Sequence, residues 1–97
     1  MEKGKTRFNN GVKVAMQRKP LGQEGRFYFK PPEWVREIED KQVASVIFAL
    51  LFSWCYDGIN HIDNIEKEIK NSFDNLSVKQ INEIVDILIQ HEVIRAQ

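Results

Sequence analysis

The chain has 97 residues, with 14 basic and 14 acidic side chains, so its formal net charge is zero; 42% of it is apolar and 29% charged. That length is one domain's worth of chain with a modest core, and the composition excludes a fibrous or wholly disordered protein. A single cysteine, Cys55, excludes an internal disulfide and points to a reducing compartment, here the cytoplasm.

The opening residues, MEKGKTRFNN, are basic but lack the apolar run of a secretory signal. Residues 1–30 carry eight Lys or Arg against Glu2 and Glu24, a net +6; residues 31–97 carry six basic and twelve acidic side chains, a net −6. Such asymmetry points to a basic arm for nucleic acid or another acidic partner, or else to an arm lying on its own acidic body.

Residues 1–11 are polar and charged, with Gly4, Asn9, Asn10 and Gly11; they read as a flexible basic arm, and 12–97 as a single domain. Val12, Val14 and Met16 alternate with Lys13, Ala15 and Gln17. Across the turn-rich stretch KPLGQEG, RFYFK (26–30) alternates again, so 12–30 reads as a β-hairpin with a seven-residue loop. Pro31 and Pro32 halt the second strand, and a short helix follows with Trp34, Val35 and Ile38 inward.

Asp40 is placed to cap a helix from about Lys41 to Tyr56, ended by Gly58. Its apolar stretch is too short for a membrane span, which needs about 20 residues, and Glu37, Glu39, Asp40 and Lys41 bracket one end while Asp57 brackets the other. On a helical wheel Gln42, Ser45, Ala49, Ser53 and Tyr56 share one side, leaving an apolar arc of about 240°. An amphipathic helix needs a stripe a little over 100° wide. The excess, around Phe48 and Phe52, is the expected interface of a homodimer; the alternative is a central helix covered within one copy.

A further helix is expected over about 61–72, with Ile62, Ile65 and Ile69 as its apolar stripe, Phe73 continuing it, and a Glu66–Lys70 pair outside. The last helix starts at Ser77, which with Gln80 has the spacing of a capping box; Leu76 and Ile81 are placed as its staple. Ile81, Ile84, Val85 and Leu88 form the inward face. Val93 and Ile94 read as a short terminal strand.

The stretch NSFDNLSVKQINEIVDILIQHEVIRAQ (71–97), with the helices before it back to about residue 41, resembles the winged-helix family of helix-turn-helix domains, found in DNA-binding repressors and in replication proteins that bind partners. The resemblance implies a mostly helical α+β fold: an N-terminal β-hairpin followed by a winged-helix-like unit of three or four helices. With no full wing hairpin after Gln97, the hairpin at 12–30 is expected to complete the sheet. The resemblance also implies nucleic-acid binding, yet the helix that would enter the groove turns Lys79, Asn82, Glu83, Asp86 and Gln90 outward. Asn82 and Gln90 have the amide chemistry to read base edges, but Glu83 and Asp86 repel a phosphate backbone that calls for Lys or Arg.

DNA contacts are therefore expected from the arm and hairpin: Lys3, Lys5, Arg7, Lys13, Arg18, Lys19, Arg26, Tyr28 and Lys30. The run Arg26-Phe27-Tyr28-Phe29-Lys30 interleaves cations with rings able to stack on bases, though Phe27 and Phe29 equally suit packing of the hairpin. The expected function is a small non-enzymatic DNA-binding or DNA-associated regulator or accessory protein of bacterial or phage style. The alternative is a protein-interaction adaptor or inhibitor, with Lys79, Glu83, Asp86, Ile87 and Gln90 touching the partner; a third is a small subunit buried in a larger assembly. Cys55, His61 and His91 lack metal-ligand spacing, a thiol in an apolar helix is inert, and no glycine loop cradles a phosphate. Hence no metal, cofactor, membrane insertion or catalysis is expected.

Overall fold

The computed structural model describes residues 11–15 and 31–96, and the backbone of 20–21 and 26–27. The fold is mostly helical α+β. It divides into two compact units, Met16–Asn60, and Met1–Ala15 with His61–Gln97.

In the first unit, short antiparallel strands β2 (Pro20–Leu21) and β3 (Arg26–Phe27) set Pro20 opposite Phe27 and Leu21 opposite Arg26. Helix α1 (Glu33–Arg36) begins after Pro32 and buries Val35, with Trp34 and Ile38 half-buried. Lys41 ties the turn behind it to the next helix, its Nζ donating to the carbonyls of Arg36 (3.2 Å) and Ile38 (2.9 Å).

Helix α2 (Lys41–Asp57) starts where expected: Asp40 Oδ1 accepts from the amides of Gln42 (3.0 Å) and Val43 (3.2 Å), satisfying two donors that a helix start leaves open. At its end Ile59 N donates to the Trp54 carbonyl and Gly58 N to that of Cys55, with Gly58 left-handed at φ 70°, the paired-bond ending that glycine favours. Val43, Val46, Ile47, Leu50, Leu51, Trp54 and Cys55 are buried; Gln42, Ser45, Phe48, Phe52, Ser53 and Tyr56 are exposed. No helix among the described residues is long and apolar enough to cross a membrane.

The second unit holds a three-stranded antiparallel sheet in the order β4-β1-β5. Strand β1 (Val12–Val14) lies in the middle, with β4 (His61–Ile62) on one side and β5 (Ile94–Ala96) on the other. Alternation places Val12 and Val14 inward and Lys13 outward. The entry to β1 needs glycine: Gly11 sits at φ 95°, and a Cβ there would lie 2.9 Å from His61 Cε1 and 3.2 Å from the Ile62 carbonyl oxygen.

Helix α3 (Ile65–Ser72) is capped by Asn64, whose Oδ1 accepts from Lys67 N at 3.1 Å. Helix α4 (Val78–Gln90) opens with the expected capping box: Gln80 N donates to Ser77 Oγ and Ser77 N to Gln80 Oε1, each at 3.1 Å. Ile65, Ile69, Leu76, Ile81, Ile84, Val85 and Leu88 are buried with Val12, Val14, Ile62, Val93 and Ile94. The core of this unit is thus a run of aliphatic side chains from two helices and three strands.

Two expectations change. Among the described residues, the hairpin expected over 12–30 is seen as the pairing of 20–21 with 26–27; Val12–Val14 instead pair with residues 61–62 and 94–96. The middle of a sheet lets the strand satisfy backbone groups on both edges and bury both valines. The helix expected from about 61 starts at Ile65, because His61 and Ile62 are spent on the sheet and Asn64 supplies the cap.

Candidate functional site

Helices α3 and α4 enclose a groove of about 290 Å3, lined by Asn64, Glu66, Lys67, Lys70 and Asn71 from the α3 side and Val78, Ile81 and Asn82 from α4. Lys67, Lys70 and Asn71 are three and four apart, so they share one face of α3; Val78 and Asn82 likewise stack along α4. Lys67, Lys70, Asn71 and Asn82 are exposed, Asn64 and Glu66 half-buried, and Ile81 forms an apolar floor. Two ammonium groups and three amides, with the half-buried Glu66 carboxylate among them, lie over an aliphatic floor; the lining carries one net positive charge and offers donors to phosphate oxygens and polar base edges. The caps bring these groups together: Asn64 fixes the start of α3 and Ser77 that of α4.

Further along α4, Val78, Lys79, Asn82, Glu83 and Asp86 line a shallower depression. Val78 is 54% exposed, a large apolar side chain on an otherwise polar face. Of the residues expected to touch a protein partner, Lys79, Glu83 and Asp86 share this depression, while Ile87 (half-buried) and Gln90 (exposed) lie outside its lining.

Of the residues expected to bind nucleic acid, Lys13 is exposed on the sheet. Its register partners are Arg95 of β5 and His61 of β4. Lys3, Lys5, Arg7, Arg18, Lys19, Tyr28, Lys30 and the side chain of Arg26 lie outside the described residues. Comparison with protein-family models, curated proteins and solved structures finds no significant match.

On α2, Phe48 is 42% and Phe52 43% exposed, and the Phe52 and Tyr56 rings stack with centroids 6.0 Å apart and planes within 13°. Cys55 is buried. Among the described residues, no three His, Cys, Asp or Glu side chains are grouped as a metal would require. The lysines of α3 and the exposed Val78 were not singled out by sequence. Lys70 reads there as half of a pair with Glu66, and only the packing of α3 on α4 sets Lys67 and Lys70 beside Asn82. The available signal was the spacing of Lys67, Lys70 and Asn71 along the flank of the Ile65–Ile69 stripe.

Proposed function

We propose that this protein is a small, non-enzymatic, cytoplasmic DNA-associated regulatory or accessory protein. In this reading the basic N-terminal third of the chain (Lys3, Lys5, Arg7, Arg18, Lys19, Arg26, Tyr28 and Lys30, with Lys13 on the sheet) supplies most phosphate contacts, and the α3–α4 groove adds more. The observation that carries the reading is the groove: Lys67 and Lys70 stand beside Asn71 and Asn82, which sets two cations, against the one carboxylate of Glu66, next to the start of α4. The chain order helix, strand, helix, capped helix, strand over residues 41–96, with β1 in the middle of the sheet, supports a winged-helix-like relationship. Two copies pair through the exposed face of α2 around Phe48 and Phe52.

Binding of the full chain to a labelled DNA duplex, titrated over a salt series, tests the reading. Affinity is expected to fall steeply with salt, and Lys67→Gln/Lys70→Gln to weaken binding evenly across sequences while reducing the log–log salt slope by about two, one per phosphate contact. Absence of binding at low salt overturns the reading.

A second reading has its own observation. Val78, more than half exposed beside Lys79, Glu83 and Asp86, is the kind of apolar anchor within a polar rim that protein partners use. As an adaptor, the chain loses its captured partner on Val78→Glu with its thermal unfolding little changed, since that side chain is more than half exposed; an unaltered set of captured proteins counts against this second reading.

A further inference from the structure

The sheet carries a charge arrangement that strand pairing alone does not favour. Lys13 stands exposed in the middle strand between two buried valines. The register sets Arg95 opposite it on one side and His61 opposite it on the other, and both are exposed. The three side chains therefore form one row across the outer face of the sheet. Directly opposed residues hold their Cβ atoms about 5 Å apart, where like charges destabilise the pair. Neither Lys13 nor Arg95 forms an ion pair with a described residue. The acid held at the end of the row is Asp63, whose Oδ1 lies 3.0 Å from His61 Nε2. Gly11 completes the arrangement: it takes up a left-handed φ, and the missing side chain leaves the space that the His61 ring occupies.

We propose that Lys13 and Arg95, with His61 beside them, seat a phosphate of a nucleic-acid backbone. A bound phosphate turns the repulsion between the two cations into shared attraction. The guanidinium offers a fork of donors matched to two phosphate oxygens, and the ammonium adds a point charge from the facing strand. The row rests on the DNA-binding reading above and extends it to Arg95 and His61, on a face of the second unit defined by the sheet rather than by the α3–α4 groove.

The full chain is titrated with a labelled duplex over a salt series and, separately, melted by circular dichroism, as wild type, Lys13→Glu, Lys13→Gln, Arg95→Gln and the groove variant Lys67→Gln/Lys70→Gln. Lys13→Glu faces Arg95 with the opposite charge, so its melting temperature is expected at or above that of wild type. Its duplex affinity is nonetheless expected to fall, and Arg95→Gln to lower the salt slope by about one. A more stable but weaker-binding variant is the signature of a site kept for its ligand; a merely structural lysine would not give it. Should Lys13→Glu melt early, Lys13→Gln, which removes the charge without adding another, carries the same comparison. If folded row variants keep wild-type affinity and slope while the groove variant loses them, the row is overturned and the DNA reading stands. If the wild type does not bind duplex at low salt, both fall. If polyglutamate is bound as tightly as duplex, the assignment to nucleic acid is overturned in favour of a general anion seat.

Discussion

Helices α2 and α4 end with the same two backbone bonds but with different residues in the left-handed position. After α2 the residue is Gly58 at φ 70°; after α4 it is Glu92 at φ 60°. At the second ending Val93 N donates to the Leu88 carbonyl at 2.8 Å and Glu92 N to that of Ile89 at 2.9 Å, so the chain can turn from α4 into β5. A side chain in that conformation crowds its own carbonyl and costs about 1–2 kcal/mol, a cost glycine avoids. Glu92→Gly is therefore expected to stabilise the protein by about 1 kcal/mol, seen as a rise of about 4–8 °C in melting temperature for a domain of this size. Gly58→Ala should lower stability by a similar amount. Beyond its own residue and its two chain neighbours, nothing lies within 4 Å of the added Cβ at that position, so the loss there measures local backbone strain rather than a clash. A fall in melting temperature for Glu92→Gly would show that the Glu92 side chain contributes more than its conformation costs.

At the scale of elements, what the sequence made legible is what neighbouring residues decide among themselves. Asp40 and Gly58 bound α2, and Ser77 with Gln80 starts α4, because a cap is a bond between residues two to five apart. The inward face of α4, Ile81, Ile84, Val85 and Leu88, follows from helical spacing and is buried throughout. What stayed hidden depends on residues far along the chain. His61 and Ile62 leave the helix expected there because Val12 and Lys13 pair with them, nearly fifty positions earlier. Lys13 meets Arg95 for the same reason, across almost the whole sequence. Strand β1 alternates clearly enough to be read as a strand, but alternation fixes which face is buried and says nothing about which strands lie alongside. The groove was illegible on the same ground: the spacing of Lys67 and Lys70 shows that they share a face, and only packing shows that the face looks toward Asn82.

For the whole molecule, the open question raised by the sequence is what covers the outer face of α2. In a single chain Phe48, Phe52 and Tyr56 remain about half exposed, at 42%, 43% and 54%. Between Lys41 and Asp57 that face holds Gln42, Ser45, Phe48, Ala49, Phe52, Ser53 and Tyr56, with no formal charge among them. A second copy meets no like-charge repulsion on such a surface, and twofold pairing is the commonest way to cover one. At 3.6 residues per turn, Phe48 and Phe52 lie on the same side of the line through Ser45, Ala49 and Tyr56. When two such helices pack antiparallel about a twofold axis, equivalent sides meet, so the phenylalanines of one copy reach those of the other; parallel packing sets them against the Gln42 and Ser53 side instead. Antiparallel pairing through α2 is thus the arrangement that buries the rings. Light scattering at micromolar concentration is expected to give about twice the 11.4 kDa chain mass. Loss of an interface aromatic costs about 2 kcal/mol, roughly thirtyfold in Kd, so Phe48→Ser/Phe52→Ser should return the protein to 11.4 kDa. Its thermal unfolding, measured at a concentration where the wild type is also monomeric, should fall only modestly, because each ring is already about 40% exposed in one copy. A wild-type mass of 11.4 kDa across that range would leave α2 an exposed aromatic face without a second copy to cover it.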